Sequence, residues 1–308
     1  MKLTVSSSPH LHANTSTAQI MKDVLISLLP CVLTATLFFG WRALLVVAFC
    51  TSLCVGLEAL CRLVMKRENT IFDGSAAVTG VLLALTLPVD IPLSLAAVGC
   101  ATAIIVVKQM FGGLGCNFVN PALAARIVMI VSFPVAMTSV PQNLMLPDGV
   151  TTATPLSGGT VSSLLDLFVG KVGGAMGEGC KIAILLGFAW LFFRRVVLPV
   201  IPVTMVATAA LFALIAGENV GVTLLSGGLL FGAVFMATDY VTSPVTMRGQ
   251  FVYAVGCGLI SVLIRFYANL PEGVSYAIVL MNIATPLIDR WFRPVPYGCR
   301  KKKGGTRA

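Results

Sequence analysis

Long runs of apolar residues separated by short polar turns dominate the pattern of this chain. Ten runs can be drawn, and several are shorter than the roughly 20 residues that a straight membrane-spanning helix needs. Tilted, broken or extended spans are therefore expected among them. The ten predicted segments cover residues 24–40, 43–61, 74–91, 93–107, 118–138, 180–193, 196–216, 222–240, 250–267 and 274–289.

The composition indicates lipid as the solvent for these segments. Of the 308 residues, 57% are hydrophobic and only 11% are charged, with a mean hydropathy of +0.95, whereas about a quarter of the residues of a soluble domain are charged. The nine cysteines form no C-x-x-C pair and are expected to pack as small hydrophobic residues. We predict an all-α polytopic membrane protein.

The basic residues predict the orientation. They flank the apolar runs, so the net charge of +9 indicates membrane topology and no nucleic-acid partner. Residues 1–19 lack the apolar core of a signal peptide. With both termini in the cytoplasm, the loop over residues 139–179 faces outward. The cytoplasmic set is Lys2, Lys22, Arg62, Lys66, Arg67, Lys108, Arg194, Arg195, Arg248 and the tail at 300–303.

A weak internal repeat predicts the architecture. Five spans in each half would insert the second half upside down relative to the first, as in folds built from inverted repeats. We therefore expect two inverted five-helix repeats with polar sites near the midplane. The matched positions are Gly80, Thr86 and Pro92 with Gly232, Thr238 and Pro244, at an offset of 152, and more loosely Asn120 and Pro121 with Asn282 and Pro286.

This repeat divides the chain into four predicted parts. Residues 1–138 form an N-terminal arm and the first five-helix repeat, and residues 139–179 form the extracytoplasmic loop. Residues 180–290 form the second repeat, and residues 291–308 form a basic cytoplasmic tail.

The long loop contains a run of small and hydroxyl residues after a carboxylate. It reads Asp148, Gly149, Val150, Thr151, Thr152, Ala153 and Thr154, followed by Pro155. Such residues favour turns, and the proline opposes helix through Thr154, which predicts an exposed hydroxyl. The run resembles the D-x-x-[ST]-x-A-T signature at which a flavin transferase joins the phosphate of FMN to the last threonine. An ordinary Ser/Thr turn is the alternative.

Across almost its whole length the chain resembles the RnfD/NqrB family of membrane subunits from ion-pumping oxidoreductases. The short N-terminal arm and Thr152, where NqrB sequences often have glycine, resemble the RnfD branch. The similar stretches are residues 5–10, 72–80, 112–121, 148–156 and 237–244.

This resemblance implies a covalent FMN on Thr154, and a fold like that of urea transporters. It also implies a membrane protein of the bacterial cytoplasmic membrane that relays electrons without catalysing a reaction alone, in a complex coupling ferredoxin and NAD to sodium or proton translocation. The implied partners are a flavin-bearing extracytoplasmic subunit, an iron–sulfur membrane pair and cytoplasmic ferredoxin- and NAD-handling subunits. A second, non-covalent flavin is compatible with the likeness to NqrB.

Several ionisable residues lie in or beside the apolar runs, where charge is costly. Asp73 and Asp239 adjoin small residues and are ion-path candidates, with N-capping of the third span by Asp73 and an ion pair of Asp239 as alternatives. Arg126 is a candidate partner of a flavin phosphate or of Glu58. Asn120 is a further cofactor-binding candidate. Lys108, Arg265 and Asp289 are expected to snorkel toward the interface.

Two further features admit alternative functions. His10 and His12 form an H-x-H pair in the polar arm, for which a contact with cytoplasmic subunits is favoured over a metal site. A solute channel or secondary transporter of the same fold, with an unmodified Thr154, is the alternative to electron transfer.

Overall fold

The computed structural model describes residues 16–67, 71–139, 164–170, 174–268 and 273–293, and every regular element in these ranges is helical. Helix α4 and the turn α11 each continue as a π-helix, over Thr102–Gln109 and Gly232–Met236. The helices are α1 Thr17–Phe39, α2 Trp41–Val64, α3 Ser75–Thr86, α4 Leu93–Ala101, α5 Pro121–Ser132, α6 Pro134–Met137, α7 Leu164–Val169, α8 Lys181–Phe193, α9 Val200–Ile215, α10 Val220–Leu225, α11 Leu229–Phe231, α12 Met247–Tyr267 and α13 Gly273–Trp291.

The exterior is apolar, and many charged side chains are inside. Helices α1, α2 and α12 are each long and apolar enough to cross a membrane, and five shorter apolar helices accompany them. Leu37 and Trp41 are exposed, whereas Glu58, Lys108 and Arg126 are buried. An apolar surface of this extent requires an apolar solvent, which confirms the prediction of an all-α membrane protein.

Helices occupy all ten predicted segments, with changed limits. Helix α1 begins seven residues before the predicted segment, because Ser16 caps it by accepting the Gln19 N–H. The segment predicted over 222–240 is one of the broken spans. It divides into α10 and α11 at Ser226, followed by Gly227 with φ +65°.

The contacts identify two ends of the bundle, which we name after Lys108 and Glu178, a charged residue at each end. At the Lys108 end, the start of α1 meets the end of α8 through Asp23 and Arg194. At the opposite Glu178 end, the segment before α8 hydrogen-bonds to the end of α3, with the Gly177 N–H 2.7 Å from the Leu85 carbonyl. The two halves of the chain meet where α1 packs on α8 and where α5 packs on α13.

One glycine is required for the close approach of α3 to α2. A Cβ at Gly80 would lie 2.7 Å from the Thr51 Cα and 2.9 Å from the Cys50 carbonyl oxygen, both backbone atoms. We therefore expect Gly80→Ala to lower the free energy of unfolding by about 1–3 kcal/mol through overpacking. Thermal unfolding of the purified chain in detergent measures this effect.

Gly56 on α2 provides the matched control. A Cβ there would have no atom within 4 Å, and alanine is favoured over glycine within a helix by about 1 kcal/mol. Gly56→Ala should therefore leave the midpoint unchanged or raise it. Equal midpoints for the two variants would contradict the tight α2–α3 contact.

Candidate functional site

The candidate attachment motif Asp148–Thr154 lies outside the described residues, as do His10 and His12. The chain after the motif is described again from α7, which packs against α8 and α10. Gly170 has φ +101° and lies against Gly179. A Cβ added to Gly170 would come within 2.7 Å of the Gly179 backbone. The described part of the long loop is therefore anchored at the Glu178 end.

Asn120 links the two halves of the bundle. Its side-chain oxygen accepts the N–H groups of Ala122 and Leu123 and so caps α5, while its Nδ2 donates to the Met236 carbonyl at 3.3 Å. In the amide orientation that satisfies its neighbours, Asn282 accepts the Asn120 backbone N–H at 3.2 Å. The two asparagines matched in the sequence repeat are thus in contact.

A cavity of about 110 Å³ lies beside Asn120 at the Lys108 end. It is large enough for several water molecules, and its walls are mostly apolar, with a few polar groups from both halves of the chain. Apolar walls with a few polar groups are typical of ligand-binding pockets, which are larger than this cavity at about 300–1,000 Å³. The polar side chains lining it are Ser75, Thr79, Lys108, Asn117, Asn120, Thr238, Asp239 and Tyr240.

The two ion-path candidates differ in surroundings. Asp239 lines the cavity. Its carboxylate accepts hydrogen bonds from the Val241 N–H at 3.4 Å and the Thr242 hydroxyl at 3.3 Å, both close in sequence. No ion pair of Asp239 is seen within the described residues, so the predicted alternative of an ion pair is not observed there. Asp73 ends a 3₁₀ turn and is half-buried. The N-cap of α3 is Gly74, with φ +74°, so the predicted capping by Asp73 is wrong.

A buried ionic network adjoins this cavity. The Lys108 ammonium lies 3.0 Å from Glu58 and 2.7 Å from the Ser75 hydroxyl, and Gln109 donates to Glu58 at 2.8 Å. The predicted snorkelling of Lys108 is wrong, because only 3% of this residue is exposed. We call Glu58, Ser75, Lys108 and Gln109 the Lys108 cluster.

Arg126 does not pair with Glu58, one of its two predicted partners, and its pairing with a flavin phosphate stays a prediction. Its Nη2 lies 3.2 Å from Glu178 Oε1, whereas Glu58 belongs to the Lys108 cluster. Arg265, also expected to snorkel, is buried and donates to the Thr223 and Ser226 carbonyls. Asp289, half-buried near the end of α13, accepts the Val245 N–H.

Sequence reasoning missed Gln109, Glu178 and Lys181. Gln109 is fully buried, although it lies two residues after the fourth apolar run and resembles an interfacial residue. Glu178 gives a signal only in retrospect, as a lone acid between Gly177 and Gly179 before an apolar run. In a chain with so few charges, an acid in such a position is a candidate for pairing inside the bundle.

Comparison with known proteins gives matches over nearly the whole chain. The model of the NQR2, RnfD, RnfE family matches residues 4–298. The chain is 48% identical to the D subunit of the Na(+)-translocating ferredoxin:NAD(+) oxidoreductase complex of Acetobacterium woodii, over 100% of this chain and 99% of that protein. It is 38% identical to the D subunit of the proton-translocating ferredoxin:NAD(+) oxidoreductase complex of Clostridium ljungdahlii, over 97% of each. The D subunit of an ion-translocating oxidoreductase complex from Stutzerimonas stutzeri is 36% identical over 92% of each.

Proposed function

Because the chain belongs to the NQR2, RnfD, RnfE family, we propose that it is the D-type membrane subunit of an Rnf-type complex that couples electron flow between ferredoxin and NAD to ion translocation. The observation that carries this proposal is the 48% identity to the D subunit of a ferredoxin:NAD oxidoreductase complex over the whole length of both chains. The protein relays electrons in such a complex and does not catalyse the reaction alone.

We further propose that Thr154 carries FMN through a phosphoester. The motif from Asp148 to Thr154 supports this assignment. The surroundings at the Glu178 end fit an anionic group, since Arg126, Lys181 and Arg265 are buried there. FMN would supply one- and two-electron chemistry, and a covalent link would keep its distance from neighbouring centres fixed.

The cavity at the Lys108 end is our proposed site for part of a second, non-covalent flavin, because its volume of about 110 Å³ is below the roughly 300–1,000 Å³ of pockets that enclose a whole ligand. Its apolar walls suit a flat aromatic ring, and the amides of Asn117 and Asn120 suit the polar edge of that ring. Asn120 and Asn282 would fix the wall of this site through their contact across the two halves.

Two inverted five-helix repeats are the arrangement we propose for the bundle. Adding the offset of 152 to the first residue of α4 gives position 245, close to Met247, where α12 begins. Adding it to the first residue of α5 gives position 273, where α13 begins. Thr86 and Thr238 each donate to a carbonyl in the last turn of a helix. With an odd number of spans per repeat and the basic residues inside, both termini would be cytoplasmic.

The proposed partners are the other subunits of an Rnf-type complex. They comprise a flavin-bearing extracytoplasmic subunit, an iron–sulfur membrane pair, and cytoplasmic subunits that handle ferredoxin and NAD, in a bacterial cytoplasmic membrane. The names of the relatives at 48% and 38% identity differ in the ion, sodium in one and proton in the other. We therefore propose ion coupling without assigning the ion.

Flavin fluorescence of the denatured protein tests the proposal against a solute channel of the same fold. The full chain is produced with and without a flavin transferase and separated on a denaturing gel. We expect a fluorescent band only when the transferase is present. A dark band from the transferase-containing host would favour the channel or transporter hypothesis.

The ion-path candidates can be tested in the assembled complex. We expect Asp73→Asn and Asp239→Asn each to remove most of the ion-coupled transport while flavin content stays intact, because neutral amides cannot supply the charge that a cation needs in a low-dielectric site. Asp90→Asn is the control, since Asp90 is about half exposed in a surface pair with Arg42. Unchanged pumping in a variant would remove that aspartate from the ion path.

A further inference from the structure

Three basic side chains are buried together at the Glu178 end. Arg126 comes from α5, Lys181 from the first residue of α8 and Arg265 from the end of α12, and each is less than 10% exposed. Glu178, which immediately precedes α8, lies among them. We call these four residues the Glu178 cluster. Three positive charges and one negative charge leave it with a formal charge of +2.

The three basic side chains of this cluster differ in the partners that they contact. Arg126 pairs with the Glu178 carboxylate at 3.2 Å, and the Lys181 ammonium donates to the Glu178 carbonyl. Arg265 donates to two neutral acceptors, the Thr223 carbonyl at 2.8 Å and the Ser226 carbonyl at 3.3 Å. No ion pair of Arg265 is seen within the described ranges.

One polar atom of Arg265 and one of Ser226 also lack hydrogen-bond partners. Arg265 Nε and Ser226 Oγ are buried, and neither has a hydrogen-bond partner among the described residues. Buried polar groups are nearly always satisfied, and an unpaired buried charge is costly. Orphaned donors beside an excess of positive charge therefore indicate a missing anionic ligand.

Phosphate esters fit this set of donors. A guanidinium presents several N–H donors in one plane and binds phosphate oxygens in a bidentate manner, while a lysine supplies a compact charge. Glu178 is the internal competitor for such a ligand. Its carboxylate lies against Gly228, where a Cβ would come within 2.6 Å of the Glu178 Oε1.

Helix α7 is the first described element after Thr154 in the chain. Helix α7 packs on α10, which contains Thr223 and ends just before Ser226. Thr154 is ten residues before Leu164, and ten extended residues span at most about 35 Å. The length of this segment therefore permits a group attached to Thr154 to contact the Glu178 end.

We propose that Arg126, Lys181 and Arg265 form an anion site for a phosphate ester, which in the intact protein is the phosphoester of the flavin on Thr154. This inference rests on the proposed flavin attachment and adds the residues that hold the charge of the cofactor. It assigns Glu178 the opposite effect, because its carboxylate repels the ester and occupies Arg126.

Binding of free FMN and riboflavin tests this site. The full-length Thr154→Ala chain, purified in a neutral detergent without phospholipid, is titrated with each compound, and quenching of flavin fluorescence is measured. Riboflavin has the same ring but no phosphate. We expect FMN to bind at least about tenfold more tightly, the value of one charge-assisted hydrogen-bonded contact, and inorganic phosphate to compete with it.

Variants in the Thr154→Ala background identify the residues. Arg265→Gln should remove the advantage of FMN and leave riboflavin binding unchanged, whereas Glu178→Gln should tighten FMN binding. Arg248→Gln is the matched control, because Arg248 is exposed at the other end of the same helix. If Arg265→Gln fails to fold, the opposite effect expected of Glu178→Gln still decides the question.

Equal affinities for FMN and riboflavin in the parent chain would overturn the site, as would unchanged FMN binding in a folded Arg265→Gln chain or weaker FMN binding in Glu178→Gln. Short-chain phosphatidylglycerol provides a further test. If it binds to the chain and FMN does not displace it, the cations bind a lipid headgroup, and the flavin is overturned as the source of the phosphate. Covalent labelling of the wild-type chain is measured separately on gels. A fluorescent band together with equal binding of FMN and riboflavin would refute this anion site alone. A dark band would refute the flavin function.

Discussion

A Thr154→Ala chain is expected to carry no covalent flavin. The proposed linkage joins the FMN phosphate to the hydroxyl oxygen of Thr154, and alanine has no oxygen to accept the phosphate. The loss should be complete, without residual labelling of the neighbouring hydroxyls, because the family motif places the acceptor only at its last position. In-gel fluorescence of the denatured protein, produced beside the flavin transferase, measures it directly.

Two variants control this experiment. Thr160→Ala removes a hydroxyl from the same segment outside the motif and should keep full fluorescence. Thr154→Ser keeps an acceptor hydroxyl and separates the need for oxygen from the need for the methyl group. A fluorescent band of normal intensity from Thr154→Ala would contradict the attachment site.

The loss of this flavin should also interrupt electron flow. In an assembled complex containing Thr154→Ala, we expect ferredoxin-dependent NAD reduction and ion transport to fall together, because a missing relay centre lengthens the distance between its neighbours. Subunit composition after purification should remain normal. Retained ion transport without electron flow would indicate the channel-like alternative.

The sequence predicted helices well because apolar runs of this length have few other ways to exist in lipid. It could not predict where those helices break. The run over 222–240 looks continuous, yet it divides at Ser226 because Gly227 adopts a positive φ. The π-helical turns of α4 and α11 left no readable mark in the sequence either.

The buried charges show a second limit of sequence reasoning. Lys108 and Arg265 lie near predicted helix ends, where snorkelling is common, and both are instead buried. The partner of Lys108 is Glu58, 50 positions earlier in the chain, and that of Arg126 is Glu178, 52 positions later. Pairings over such separations depend on how helices pack and cannot be read from local pattern.

The relatives define the class of complex more clearly than the ion. Proteins named for sodium and for proton translocation both align with this chain over 97% or more of its length. Both ions can be held by carboxylates and carbonyl oxygens. The alignments therefore do not separate the two ions, and Asp239 on the cavity wall is our first candidate for a group that distinguishes them.

The largest effect on stability is expected from breaking the pair of Glu58 and Lys108. Both side chains are at most 4% exposed and lie 3.0 Å apart. Removing one partner leaves the other charge buried without compensation, which typically costs about 3–5 kcal/mol. We therefore expect Glu58→Gln and Lys108→Met each to unfold at a much lower temperature in detergent.

The double variant should recover much of this loss. With Glu58→Gln and Lys108→Met together, neither of these two positions is charged, and a neutral pair in the same volume is often as stable as the ion pair it replaces. The surface pair of Arg42 and Asp90 is the control, since both side chains are more than half exposed at 3.8 Å and such pairs contribute at most about 1 kcal/mol.

Additive losses in the Glu58 and Lys108 variants would contradict an energetic coupling between the two charges. Strong coupling, in contrast, would show that Glu58 and Lys108 stabilise the bundle as a pair. The formal charges of Glu58 and Lys108 cancel, whereas the Glu178 cluster at the opposite end has a formal charge of +2, which is an electrostatic asymmetry between these two clusters. Such an asymmetry would favour an anionic group at the Glu178 end, and it would oppose cations there unless that group is bound.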